Sequence, residues 1–151
     1  MDTSLIYCVA QEYIIVRTPS KEATRALLPN YEPFLVEELP KGKEPLFTFE
    51  GGADLTAYPR KALLEDKLSE GLRARVYQTT NSEILLELTA NQRRHVLHVD
   101  QSWSRVTSDV LLDDPSAAYF INRLIMIVYG VAIAPWKMLK MHASVTELDG
   151  K

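Results

Sequence analysis

The chain is short of cysteine, glycine, long apolar runs and positive charge, and each shortage removes a class of function. One cysteine, Cys8, allows neither an internal disulfide nor a cysteine-rich metal site, and suits a reducing compartment. The 6 glycines nowhere form a phosphate-cradling loop, and zinc-ligand spacings and nucleophile elbows are also absent. Met1-Asp2-Thr3-Ser4 has no basic region and no long apolar stretch behind it. It does not read as a secretory signal, so a cytoplasmic location is expected. The richest apolar run, Leu124 to Ala134, is broken by Pro135 and falls short of the roughly 18 residues that span a bilayer. A buried core helix is the expectation there, with no membrane partner. The net charge of −3 leaves no basic footprint for nucleic acid or an anionic surface. Arg93-Arg94 reads as a solvated strand edge.

What remains is an ordinary globular composition. At 151 residues, with 46% hydrophobic and 25% charged side chains, one domain can bury about two-thirds of its unfolded surface. Tyr13-Ile14-Ile15-Val16-Arg17 is a β-branched, aromatic first strand closed by Thr18-Pro19. Ser20 then caps a short helix through Ala23, Ala26, Leu27 and Leu28, ended by Pro29-Asn30. Phe34-Leu35-Val36 and Leu46-Phe47-Thr48-Phe49 are further strand candidates, whereas residues 61–72 fit either a helix or an exposed loop.

Residues 73–79, 83–90, 93–100 and 103–108 are four strand-like runs separated by turn-forming types. That spacing is too short for helical crossovers, so an antiparallel meander is expected. Ile84, Leu86 and Leu88 should point at the core, with Glu83 and Glu87 on the opposite, wetter face. Asp114, as N-cap, and Pro115, at the first helical position, open the main helix. It should run to about Ala134, with Phe120, Ile121, Leu124, Ile125, Val128, Val131 and Ala132 on one apolar face. Ile127, Gly130 and Ile133 leave little polar surface on the other side, so something must cover that side too.

No constellation carries chemistry outright. His95 and His98 are three apart on a strand and point to opposite faces, so they cannot share an ion without a bulge. Asp113 and Asp114 are better explained by helix capping than as paired catalytic carboxylates. Cys8 reads as an inert thiol, and Trp103, Tyr129 and Trp136 as core or interface anchors. No catalytic residue and no metal ligand is assigned.

The C-terminal end is more informative. Asp149-Gly150 follows a strand-like run and is a strong hairpin-turn signal, with Lys151 the last residue. The expectation is a chain that forms the front part of a longer protein. Met138-Leu139-Lys140-Met141-His142-Ala143-Ser144-Val145, followed by Asp149-Gly150-Lys151, resembles the HPr serine kinase and ATP-dependent phosphoenolpyruvate carboxykinase superfamily. In that family a helix leads into a His-Ala-Ser-type strand, a turn, a second strand and then the phosphate-binding loop. The resemblance implies that residues 138–151 begin a nucleotide-binding core, with His142 and Ser144 beside the phosphate or substrate. It also implies that ATP and Mg belong to the full-length protein, with no cofactor held in this chain.

The expected fold is therefore α+β, a meander of five to seven antiparallel strands packed on one long apolar C-terminal helix. The expected function is a non-catalytic N-terminal scaffold of an ATP-dependent, P-loop phosphotransferase of the serine kinase type. Its partner would be the remainder of its own polypeptide. The rival is a stand-alone interaction module whose apolar helix is covered by a second copy of the chain. A ligand pocket between helix and meander finds no polar residues to support it.

Overall fold

The computed structural model describes residues 3–136. Nine strands form one sheet: β1 (Ser4–Val9), β2 (Glu12–Arg17), β3 (Leu35–Val36), β4 (Phe47–Glu50), β5 (Ala62–Ser69), β6 (Leu72–Gln78), β7 (Ile84–Ala90), β8 (Arg93–Val99) and β9 (Arg105–Ser108). Their spatial order is β3-β1-β2-β4-β9-β8-β7-β6-β5. Two α-helices join them, α1 (Lys21–Leu27) and α2 (Ala117–Ala132). The chain from Asp149 to Lys151, with the strand-like run before it, lies outside the described residues.

This architecture corrects the expected one. The sheet has nine strands rather than five to seven, and it is mixed: β4 pairs parallel with both β2 and β9. The other pairings are antiparallel. The ten-residue rhythm identifies hairpin neighbours correctly. It is blind to partners distant in sequence, such as Thr48 and Arg105, and those form the parallel seam. The ambiguous stretch is β5, which is exposed along its length and lacks the apolar alternation of a half-buried strand.

Three hairpins turn on two residues that both have positive φ: Ala10-Gln11, Glu70-Gly71 and Asn91-Gln92. This is the geometry that matches the right-handed strand twist. Only Gly71 and Asn91 are residue types that favour it, which is why the sequence signals are faint.

The helix is also shorter than expected. α2 has 16 residues, or about 24 Å at 1.5 Å per residue. Ser116 takes the N-cap position, and Asp114 instead closes the preceding turn by accepting the Ser116 N–H at 2.7 Å. Among the described residues no helix is long and apolar enough to cross a membrane. Ser20 does cap α1, accepting the Ala23 N–H at 3.2 Å.

α2 lies on one face of the sheet. Phe120, Ile121, Leu124, Ile125 and Val128 bury there against Ile14, Val16, Phe47, Phe49, Leu97, Val99 and Val106. Tyr129 donates its hydroxyl to the Val9 carbonyl at 3.0 Å, and Asn122 reaches the Leu27 carbonyl at 3.0 Å. Val131, expected on the buried face, is 42% exposed.

Tyr7 is fully buried in this core, its ring edge-on to Tyr31. Its hydroxyl meets no hydrogen-bond partner among the described residues. Burial pushes that hydroxyl up to about 12. A buried donor left unsatisfied costs about 1–3 kcal/mol. Tyr7→Phe is therefore expected to raise stability by about 1 kcal/mol in urea unfolding. Because the folded value lies above the ordinary 10.0, ionisation favours the unfolded chain, so stability is unaffected by this group below 10.0 and falls as pH rises from there through about 12. The phenylalanine variant should lack that component of alkaline destabilisation.

Candidate functional site

The sheet face away from α2 is not the wet face expected from Glu83 and Glu87. Residues 51–61 cross it, and Leu55 closes a second small cluster with Leu85 and Val96, flanked by Ala53, Tyr58 and Tyr77. The Ala53 N–H donates to the Ser108 carbonyl at 2.8 Å, anchoring the crossing at its start. Asp54 shapes the turn that follows. Its carboxylate accepts the Thr56 hydroxyl at 2.7 Å and the Thr56 N–H at 3.0 Å, and these bonds hold it below the usual carboxylate range.

Beneath the loop, Glu87 is only 3% exposed. Three arginines approach its carboxylate: Arg60 at 3.1 Å, Arg75 at 3.5 Å and Arg94 at 3.8 Å. Burying a carboxylate this deeply is costly unless charged partners surround it. Arg75 sits opposite Glu87 in register, Arg94 comes from β8, and Arg60 arrives with the loop. The cluster joins the loop to the sheet.

The same loop frames the candidate site. His98 is 8% exposed, and its Nε2 lies 2.6 Å from Glu83 Oε2. Tyr58 stacks on the imidazole with ring centroids 4.1 Å apart. Beside this trio opens a polar cleft of about 780 Å³, lined further by Glu50, Asp100, Ser104, Arg105 and Thr107. Burial pushes the Asp100 carboxyl up. The Arg105 and Ser104 N–H groups and the Ser102 and Ser104 hydroxyls outweigh that and hold it low.

A histidine fixed by a carboxylate at a cleft can move a proton. The Ser104 hydroxyl, however, is held by Asp100 and Ser102 rather than by His98. No nucleophile–base pair is therefore assembled there. The geometry is that of a latch which fastens Tyr58 and the 80–82 turn to the sheet and borders an open polar cleft.

His95 lies on the opposite face, as the strand alternation requires. Its Nδ1 is 3.1 Å from Asp109 Oδ1, its Nε2 is 3.6 Å from Asp114 Oδ2, and its ring meets the edge of Phe120. Asp114 also accepts Arg93 at 3.0 Å. The Ser116 hydroxyl and N–H, helped by Arg93, hold its carboxyl below the usual range. This group braces the entry to α2. Among the described residues no set of three or more His, Cys, Asp or Glu side chains is arranged to hold a metal ion.

His142 and Ser144, which the family resemblance implies lie near phosphate, fall outside the described residues. The Glu83–His98 latch and the Glu87 cluster were missed. Both join residues across strands, and only the registers β6–β7 and β7–β8 bring them together. The signal available was the pair of like-faced charges on neighbouring strands, Arg75 and Glu87. The chain matches no family model, no curated protein and no solved structure.

Proposed function

We propose that this chain is the non-catalytic N-terminal scaffold of an HPr-kinase-like, ATP-dependent phosphotransferase acting in the cytoplasm. Two features support this reading. The first is the resemblance carried by residues 138–151. The second is α2, which leads toward that segment with one side buried in the sheet.

The last two turns of α2 stay apolar and incompletely covered: Ile127 and Gly130 are half-buried and Val131 is exposed, with no charged side chain from Leu124 to Ile133. Ile133, expected to need cover from outside, is already buried at 3% exposure. The apolar surface that remains calls for a covering partner. In this reading the partner is the nucleotide-binding core of the same polypeptide. His142 and Ser144 then stand beside the phosphates, and the residues that hold ATP and Mg belong to the core.

The incompletely covered apolar surface of α2 carries the proposal, and calorimetry with Mg-ATP tests it. A polypeptide that continues through the core is expected to bind Mg-ATP, and residues 1–151 alone to bind it negligibly. Tight binding by residues 1–151 would refute the scaffold role. If Val131→Asp abolished self-association of a chain that never binds nucleotide in any length, the dimerisation module would replace it.

A further inference from the structure

One edge of the sheet is open. β5 is the terminal strand, and all of its 8 residues are exposed, with Leu63 at 54% and Leu68 at 71%. Such an edge offers unpaired N–H and C=O groups to any other strand. The hairpin identifies which groups these are. Ser69 and Leu72 close the two-residue Glu70-Gly71 turn, and the closing pair of such a turn exchanges its hydrogen bonds. Alternation then directs the backbone groups of Ser69, Lys67 and Glu65 toward β6. Those of Leu68 and Asp66 point outward.

Charges on an edge usually block a partner, but here they are complementary to their own reversed order. Reversing the strand about Asp66 sets Lys67 opposite Glu65, Glu65 opposite Lys67, and Leu68 opposite Leu64. Glu65 and Lys67 share the face of Val76 and Ala74, so the two opposite-charge pairs lie on one side of the ladder. On the other side the two Asp66 carboxylates meet at the axis. Each is already bound by Arg73 at 2.8 and 2.6 Å and by Arg75 at 3.4 Å, so they arrive neutralised. A shift of one residue either way would set outward-facing Asp66 against inward-facing Glu65 or Lys67 and forfeit the hydrogen bonds, and the next registers would set Glu65 against Glu65 or Lys67 against Lys67. The register is therefore specific.

We propose that β5 is a self-association edge, across which a second copy of the chain adds antiparallel in the register centred on Asp66. The two sheets become continuous about a two-fold axis, an isologous contact. The register shift between Leu63 and Glu65 ends the regular ladder, so the shared stretch is short and the dimer weak. Exposed Lys–Glu pairs add little strength individually; their role is to select the register. The contact lies at the far end of the sheet from β1, where α2 is tied through Tyr129, so it is independent of what covers that helix.

Sedimentation equilibrium of the whole chain up to millimolar concentration tests the proposal. The unmodified chain is expected to self-associate. Lys67→Glu sets like charges opposite each other twice per dimer and should raise the dissociation constant about tenfold. The double variant Glu65→Lys/Lys67→Glu restores both pairs and should restore association. Both residues are exposed, and unchanged circular dichroism and melting would verify that folding is intact. A chain that stays monomeric at millimolar concentration overturns the proposal. So does association that ignores Lys67→Glu, or that the double variant fails to restore.

Discussion

Replacing Phe49 with alanine is expected to remove about 3–5 kcal/mol of stability, the range for deleting a fully buried phenylalanine ring. Phe49 is fully buried in β4, the strand with parallel partners on both sides. It stands in register with Val16 and Val106, which are also fully buried, and belongs to the cluster under α2. The cost of such a truncation depends on whether the site can collapse. Here the backbone is held by hydrogen bonds on each side and the helix is tied at Val9 and Leu27, so the void persists. Urea unfolding should show a lower midpoint at unchanged slope. Leu68→Ala at the open edge, by contrast, should change stability by less than about 0.5 kcal/mol in the unassociated chain.

A comparable loss, about 3 kcal/mol or more, is expected when Arg60 and Arg75 are both changed to alanine. The carboxylate of Glu87 would then remain almost fully buried, with only Arg94 at 3.8 Å. The asymmetry is the sharper test. Glu87→Leu removes the buried charge itself and leaves three arginines that are 36%, 32% and 64% exposed and free to hydrate. That variant should be much closer to neutral, because the desolvation penalty leaves with the charge. Chemical denaturation of the two variants side by side decides the matter. Equal losses would mean that Glu87 contributes by packing rather than as a charge in need of partners.

Much of the local structure was legible because its causes are local. Ser20 ahead of an apolar-periodic stretch signals α1. The alternation of Ile84, Leu86 and Leu88 signals a strand with one core face, and that face is where the cluster under α2 lies. The opposite face was misjudged because Glu87 looks solvent-bound from its own strand. Only Arg75, Arg94 and the distant Arg60 make its burial tolerable. The parallel seam escaped for a related reason: nothing in Phe47-Thr48-Phe49 names Ile14 or Arg105 as neighbours. The helix start was misplaced by two residues, since Asp114 serves equally well as an N-cap or as the acceptor of a preceding turn. His98 is identifiable as a strand residue, but its pairing with Glu83 depends on the chain folding back at Asn91-Gln92.

The parallel seam also sets out how the molecule is laid out along the chain. The chain leaves β4 at Glu50 and comes back beside it in β9 at Arg105, having laid down β5 to β8 in between, so those four strands form a closed excursion that extends the same sheet to one side of the seam. Lengthening or trimming such an excursion changes the closure entropy only slowly. The excursion carries the loop that roofs the second face, and its outermost strand is the open edge. The two ends of the sheet are thereby given separate work. At the β1 end Tyr129 ties α2 to the Val9 carbonyl, and the β5 end carries the edge proposed to pair with a second copy.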